Sequence, residues 1–319
     1  MPPHIAVVGS YATGLTMRVG RLPGRGETLL GTGYRVDYGG KGSNQAVGCA
    51  RLGAKVSFVA RIGDDSFGQM ALALYHDEAI DVSHVRSTSD VPTGVGFIVV
   101  DAEGHNCIVL DPGANEHLTA KDIADSASAF DGASVVLTQL EIPVAAATAA
   151  MARGRQVGAI TILNPAPVRP LPASLLELVD ILTPNESEAC VLAGREPGQK
   201  VEPEQVAHEL IGKGVKQVVM TLGEEGALIV SAEKTIRVGA IQVAALDTVG
   251  AGDAFNAGLA VALSWGAPLE AAVRFAAVTG GLAVTKEGVI PALPRPQEVL
   301  SYCQRSGTAP PDWVTAHRA

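Results

Sequence analysis

The stretch Asp247-Thr248-Val249-Gly250-Ala251-Gly252-Asp253-Ala254-Phe255 decides how this chain is read. It is a turn of small residues that ends in a carboxylate and runs on into the apolar segment Leu259–Trp265, the pattern of a helix with a glycine-built start. The residues before it, Ile241 to Leu246, read as an extended segment. Glycines without a Cβ let backbone N–H groups converge, and the first turn of a helix adds unpaired donors and the positive end of its dipole. Such a place suits a phosphate. A carboxylate there would repel one, so Asp253 makes sense as a base that takes a proton from a hydroxyl attacking phosphorus, with the amides of Gly250, Ala251 and Gly252 holding the departing charge. The plainer alternative is an aspartate capping a helix after a glycine turn.

The 319 residues are 47% hydrophobic but only 4% aromatic, enough apolar material for one large α/β domain with a core of small side chains. A balance of 24 Lys+Arg against 33 Asp+Glu, net −9, argues against nucleic acid or a membrane surface as partner. No apolar run reaches the roughly 20 residues that a bilayer span needs. The chain passes from Met1-Pro2-Pro3-His4 into a strand with no charged-then-apolar leader, so the expected location is cytoplasmic. Cys49, Cys107, Cys190 and Cys303 are scattered without a C-x-x-C, which argues against a zinc site or a disulfide framework, and the histidines have no metal-ligand spacing.

After a first strand, Ile5–Val8, the pattern breaks. From Tyr11 to Tyr38 there are six glycines and one proline, and the apolar residues fit short strands. Gly94–Val100 and Asn106–Leu110, joined by a polar turn, read as a hairpin. These two excursions are expected to form a small sheet acting as a lid. Between them lies Gly39-Gly40-Lys41-Gly42-Ser43-Asn44-Gln45, a second glycine-built turn, with a helix expected from about Ser43. It is not a P-loop, because Gly42 stands where Ser or Thr would follow the lysine.

The remainder alternates strands (56–60, 135–139, 160–163, 181–183, 218–222) with helices (70–78, 144–154, 206–213) in the manner of a doubly wound sheet. Ligands of such sheets sit beyond the carboxyl ends of the strands. Here those positions hold Gly9-Ser10, Gln139-Leu140-Glu141, Asn164-Pro165-Ala166-Pro167, Pro184-Asn185-Glu186-Ser187-Glu188 and Gly223-Glu224-Glu225-Gly226. Asn185 and Glu188, three apart at a helix start, fit either a hydrated Mg²⁺ near phosphates or a cap and a first-turn acid. Thr221, Gly223 and Gly226 let a nucleotide approach the backbone.

Taken together, Gly39 to Gln45 and Asp247 to Phe255 resemble the two signatures of the ribokinase-like (PfkB) carbohydrate kinases, the ribokinase branch most closely. Ile62-Gly-Asp-Asp65, Asp111-Pro-Gly-Ala-Asn115, Gln139–Glu141, Asn164–Pro167, Thr183–Glu186 and Ala283-Val-Thr285 extend the likeness in order, from Ile5 to about Pro294. The resemblance implies a doubly wound, mainly parallel α/β sheet flanked by helices, forming one domain over residues 1–305. Lid strands would come from about 11–38 and 94–111, and 306–319 would be a frayed tail. It implies an ATP- and Mg²⁺-dependent sugar kinase that pairs through its lid as a homodimer.

By the same resemblance Asp253 is the base, and Gly250, Ala251 and Gly252 form the anion hole. Gly40, Lys41, Asn44 and Glu141, with Asp253, contact the sugar. Asn185, Thr221, Gly223, Gly226 and Gly252 lie along the nucleotide, with Asn185 and Glu188 reaching Mg²⁺ through water. Asp247, Val249, Ala283 and Gly288 match a monovalent-cation site for K⁺, although Ala292 replaces a serine there.

One departure bears on the substrate. Ribokinases carry Gly-Ser-x-Asn-x-Asp after the first strand, the Asn and Asp looking onto the sugar, whereas Ala12 and Gly14 occupy those positions here. A sugar hydroxyl deprived of its partner costs about 1–3 kcal/mol. Either Thr13 or Thr16 takes over and ribose remains the acceptor, or the acceptor is a deoxy sugar, a bulkier sugar or a nucleoside stacked on Tyr11. A non-catalytic sensor of the same fold would be expected to lose Asp253 or its glycines, and none is lost. An oxidoreductase is disfavoured because no G-x-G-x-x-G follows the first strand.

Overall fold

The computed structural model describes residues 2–196, 199 and 201–315. β-Branched and apolar runs form β1 (His4–Val8), β2 (Ala12–Arg18), β3 (Thr32–Gly39), β4 (Lys55–Gly63), β5 (Asp81–Thr88), β6 (Gly94–Val100), β7 (Asn106–Asp111), β8 (Ala133–Thr138), β9 (Ile160–Leu163), β10 (Ile181–Leu182), β11 (Gln217–Thr221), β12 (Ala227–Ser231) and β13 (Thr235–Val238). The helices are α1 (Lys41–Arg51), α2 (Ser66–Asp77), α3 (Ala120–Asp125), α4 (Val144–Gln156), α5 (Ala173–Leu176), α6 (Glu186–Leu192), α7 (Pro203–Gly212), α8 (Ala251–Ser264), α9 (Leu269–Ala283), α10 (Pro296–Ser306) and α11 (Asp312–Thr315).

Nine strands make one sheet in the order β13-β12-β11-β10-β9-β8-β1-β4-β5, parallel except that β12 runs antiparallel to both its neighbours. Parallel strands covered by helices are buried on both faces, which is why Ile5–Val8 reads as an unbroken apolar run. Helices α1, α2, α8, α9 and α10 cover one face around Val7, Phe58 and Leu137, and α3 to α7 cover the other around Val8, Val136 and Leu163. Because β1, β8, β9, β10 and β11 point the same way, Ser10, Gln139, Asn164, Thr183 and Leu222 gather along one edge.

Small residues let α8 sink into this stack. A Cβ on Gly48 of α1 would lie 2.6 Å from that of Ala257, and one on Gly258 would collide with Thr279 of α9. The four remaining strands form a second, smaller sheet where the lid was expected, in the order β3-β2-β6-β7, with β2 and β6 parallel.

Residues 241–246, read as an extended segment, form a loop that pairs with no strand of the sheet, and Ile241 sits against Gly281 where a Cβ would collide with it. Two expectations are corrected. α1 begins at Lys41, two residues before the expected start, because Gly40 takes a positive φ of 86° and turns the chain into the helix. The segment after Ser306, expected to fray, folds back instead: Val314 of α11 is buried and the Trp313 ring meets Phe275 edge-on at 5.9 Å. Residues 316–319 of that segment lie outside the described residues. Among the described residues no helix is long and apolar enough to cross a membrane.

Candidate active site

Asp253 occupies the first turn of α8, whose N-cap, Gly250, has φ 82°. An L side chain would be strained there, and its Cβ would meet Val289 at 2.6 Å. The Ala251 N–H is taken by the Thr248 carbonyl at 3.3 Å, whereas those of Gly250, Gly252 and Asp253 find no acceptor among the described residues. The free donors of the turn are therefore these three rather than Gly250 to Gly252. A Cβ on Gly252 would meet nothing within 4 Å, because its open side faces a cavity of about 1320 Å³.

The Asp253 carboxylate is buried, and both of its oxygens are held. Asn44 Nδ2 donates to Oδ2 over 2.8 Å and Gln45 Nε2 to Oδ1 over 2.9 Å, so neutral amides orient the charge without cancelling it. Gln45 Oε1 accepts from Gln139 at 2.6 Å, and Gln45 Nε2 also lies 3.2 Å from Asn164 Oδ1. Asn164 donates to the Thr183 carbonyl at 3.0 Å, Thr183 Oγ1 to Asn256 at 2.6 Å, and Asn256 to the Gly252 carbonyl at 2.8 Å. This chain of amides ties the ends of β8, β9 and β10 to the first turns of α1 and α8. Asn44 Oδ1 is buried without a partner, an acceptor beside Asp253 that a ligand hydroxyl can satisfy.

Gly40 lies so close to β2 that a Cβ would be 2.7 Å from Tyr11 Cα. It offers α1 no side-chain cap, and Glu141 supplies one from β8's exit loop: its Oε2 accepts from the Lys41 N–H at 2.7 Å and from Ser10 Oγ at 2.6 Å. Burial works against the charge on the Lys41 side chain, but Asp253, Glu141 and Glu188 around it outweigh burial and raise its pKa. Burial also pushes the Glu188 carboxyl up, with Asp253 adding to it and the Asn185 N–H and Lys41 opposing.

Asn185 and Glu188 form a reciprocal capping box at the start of α6, with bonds of 2.8 and 2.9 Å. They thus fill the structural role the sequence allowed for. One Glu188 oxygen accepts the Asn185 N–H, and the carboxylate is near enough to Lys41 and Asp253 to feel both. Asn185, Thr221, Gly223, Gly226 and Gly252 all line this same cavity. Gly223 is open on its side-chain side, whereas a Cβ on Gly226 would run into the Val238 carbonyl, so strand packing already requires that glycine. The cavity's size, its open glycines and the free N–H groups at its end fit a nucleotide with its phosphates toward α8.

Asp247 joins the two segments expected to hold a monovalent cation: its Oδ1 accepts from Val249 N and its Oδ2 from Gly288 N, each at 3.0 Å. The Ala283 carbonyl already accepts from Lys286 N at 3.2 Å. Among the described residues no cluster of three or more His, Cys, Asp or Glu side chains is placed to hold a metal.

Ala12 and Gly14 lie on β2 beside Gly39 and Asp37. Tyr11 is fully buried, edge-on to Tyr75 at 6.2 Å, and cannot stack on a substrate. Thr13 is buried too and shares a hydrogen bond of 3.1 Å with Tyr11, so it does not replace the missing group. Sequence reasoning missed the supporting amides. Gln45 ends the Gly39–Gln45 turn and Asn256 is a polar residue in an apolar helix, so both were visible, but nothing in their spacing joins them.

Residues 2–296 match the model of the pfkB family carbohydrate kinases. The chain is 37% identical to the ribokinase of Haemophilus influenzae over 96% of its own length and 100% of that protein. It is 32% identical to the deoxyribokinase of Salmonella typhi over 93% of this chain and 98% of that one. The structure of Arabidopsis thaliana ribokinase complexed with ribose and ATP matches with a TM-score of 0.89 at 34% identity, covering 94% of this chain and 98% of that one. The chain therefore belongs to the pfkB family of carbohydrate kinases, phosphotransferases that act on a sugar hydroxyl.

Proposed function

We propose that this protein transfers the γ-phosphoryl group of ATP to a hydroxyl of a pentose, with ribose as the first acceptor to test. The observation that carries the reading is Asp253, oriented by two amides beside an unpaired Asn44 oxygen and next to three free N–H groups at the end of a nucleotide-sized cavity. Asp253 takes the proton of the attacking hydroxyl, while Asn44 Oδ1 accepts from a neighbouring hydroxyl and holds the sugar in line. The N–H groups of Gly250, Gly252 and Asp253 face the group in transfer, and Lys41 balances the surrounding carboxylates. Mg²⁺-ATP, when bound, supplies the phosphoryl group and neutralises charge on it, with Asn185, Thr221, Gly223, Gly226 and Gly252 along the nucleotide and Glu188 toward the ion through water.

The lid closes over the sugar and excludes water that would otherwise be phosphorylated. Its outward face exposes Tyr34, Val36, Phe97 and Val109, an apolar patch that supports pairing with a second copy as a cytoplasmic homodimer. Backbone oxygens near Asp247, Val249, Ala283 and Gly288 would take K⁺. A second reading, 2-deoxyribose as acceptor, is favoured by Ala12 and Gly14, since a sugar with one hydroxyl fewer needs one partner fewer.

The test is sugar-dependent ADP release with ATP, Mg²⁺ and K⁺ against ribose, 2-deoxyribose, hexoses and nucleosides. Turnover of a pentose supports the reading, and turnover of nucleosides alone, or none, overturns it.

A further inference from the structure

The lid places a carboxylate where Gly14 leaves none. Gly14 pairs with Asp37 of β3 on one side and Gly96 of β6 on the other, and Gly96 pairs with Leu110 of β7. Residues opposite one another across strands point to the same face, so Asp37, Gly14, Gly96 and Leu110 form one row with two side chains missing at its centre. A Cβ built on Gly14 would sit 3.7 Å from Asp37 Cβ and 3.6 Å from Ile98 Cδ1. The row is thus a notch, walled by a carboxylate at one end and by Ile98 and Leu110 at the other.

Two observations say which way the notch faces. Thr13, next to Gly14, turns into the core toward Tyr11, so Gly14 takes the opposite face. Arg35, two residues before Asp37 and on its face, donates to Glu287 at 3.3 Å. Glu287 precedes Gly288 and Val289, which touch Asp247 and Gly250 at the start of α8. The notch therefore opens toward the turn that carries Asp253. Along β2 it lies two residues, about 7 Å, beyond Ala12, which pairs with Gly39 at the entrance to α1. That is the width of one sugar ring.

We propose that Asp37 is a substrate-binding, specificity-determining residue whose carboxylate accepts a hydroxyl of the acceptor in the notch left by Gly14 and Gly96. Arg35 Nε, 3.1 Å from Asp37 Oδ2, orients the carboxylate and leaves Oδ1 for the sugar. At 41% side-chain exposure, Asp37 is open to a ligand, and its pair with Arg35 is of the solvent-exposed kind that adds little to stability. The inference rests on the sugar-kinase reading, and it turns the apparent loss at position 14 into a relocation of the same chemistry to the neighbouring strand.

The experiment compares the intact chain with Asp37→Asn, Asp37→Ala, Arg35→Gln and the double variant Gly14→Asp/Asp37→Ala, reading KM for the best sugar and KM for ATP, with a thermal melt as a folding control. Loss of a charge-assisted bond should raise the sugar KM roughly tenfold or more in both Asp37 variants and leave the ATP KM unchanged. Arg35→Gln should have a smaller effect, and the double variant should recover most of the loss. A sugar KM within about twofold of wild type in both Asp37 variants, or equal rises in both KM values, overturns the assignment. Absence of any sugar-dependent turnover by the wild type is failure of the kinase reading itself. Calorimetric Kd values for ribose and 2-deoxyribose without nucleotide then carry the same Asp37 comparison.

Discussion

Asn44 and Asp253 stand 209 residues apart in sequence, yet Asn44 Nδ2 lies 2.8 Å from Asp253 Oδ2. Each belongs to the first turn of a helix that begins with glycines, α1 after Gly39-Gly40 and α8 after Gly250. The two turns meet at the edge where β1, β8 and β9 end, so the sheet determines which helix starts come together. What looks like two separate motifs is one site built from two N-termini, one carrying the Asp253 carboxylate and the other the amides that orient it.

Replacement Asp253→Asn keeps the shape of the side chain and the acceptor for Asn44 or Gln45, but removes the proton acceptor. We expect kcat to fall by about 10²–10⁴, with ATP and sugar affinities close to wild type. ADP release for turnover and calorimetry for binding check this together. Turnover near the wild-type rate would mean that the hydroxyl proton leaves by another route.

The capping box of α6 separates structure from ion binding. Asn185→Ala removes the acceptor for the Glu188 N–H and should cost about 1 kcal/mol of stability. Glu188→Gln keeps a capping group while removing the charge, so stability should hold and the Mg²⁺ concentration for half-maximal activity should rise severalfold. A Glu188→Gln enzyme with an unchanged Mg²⁺ titration would remove this residue from the ion's surroundings.

Lys41 gives a pH signature. Its charged form is favoured in the folded state over the unfolded one, because three carboxylates outweigh its burial. That contribution is complete below the ordinary lysine range and is lost as pH climbs through the raised folded value. Lys41→Met should therefore lower the melting temperature at neutral pH, and the gap to wild type should narrow from roughly pH 10 upward. A gap independent of pH would assign the loss to packing of the lysine stem.

Local chemistry was legible where one segment carries it: the glycine turn before Asp253, the Gly39–Gln45 turn, and the β6–β7 hairpin with its polar connection. Elements with little local contrast were not. β5 (Asp81–Thr88) reads as polar because it is the edge of the sheet, and α9 was hidden by Gly280 and Gly281, which look like breakers. In the fold these glycines are points of close approach, Gly281 to Ile241 and Gly280 to Phe255. Gln45, Gln139 and Asn164 join only because β8 and β9 end side by side, a matter of strand order. Asp37 escaped for a related reason: its meaning lies in being opposite Gly14, and register is invisible until the strands pair.

The seam between α1 and α8 sets the geometry of Asp253, the proposed base. Gly48 follows Asn44 by one helical turn and Ala257 follows Asp253 by one, so a close contact between the helices lies one turn beneath the Asn44–Asp253 bond. A Cβ on Gly48 would be 2.6 Å from Ala257 Cβ, roughly 1 Å inside ordinary contact, and both are attached to rigid helix backbone. Gly48→Ala must then part the helices, at about 1–3 kcal/mol in stability. The Asn44–Asp253 bond stretches with them, and kcat should fall tenfold or more while the ATP KM holds, since the cavity is lined by the α8 start and not by α1. Adding Ala257→Gly returns the space, so the double variant should regain activity while still paying about 1 kcal/mol for a glycine inside a helix. Full activity in Gly48→Ala alone would show that the helix spacing does not govern how Asp253 is aimed.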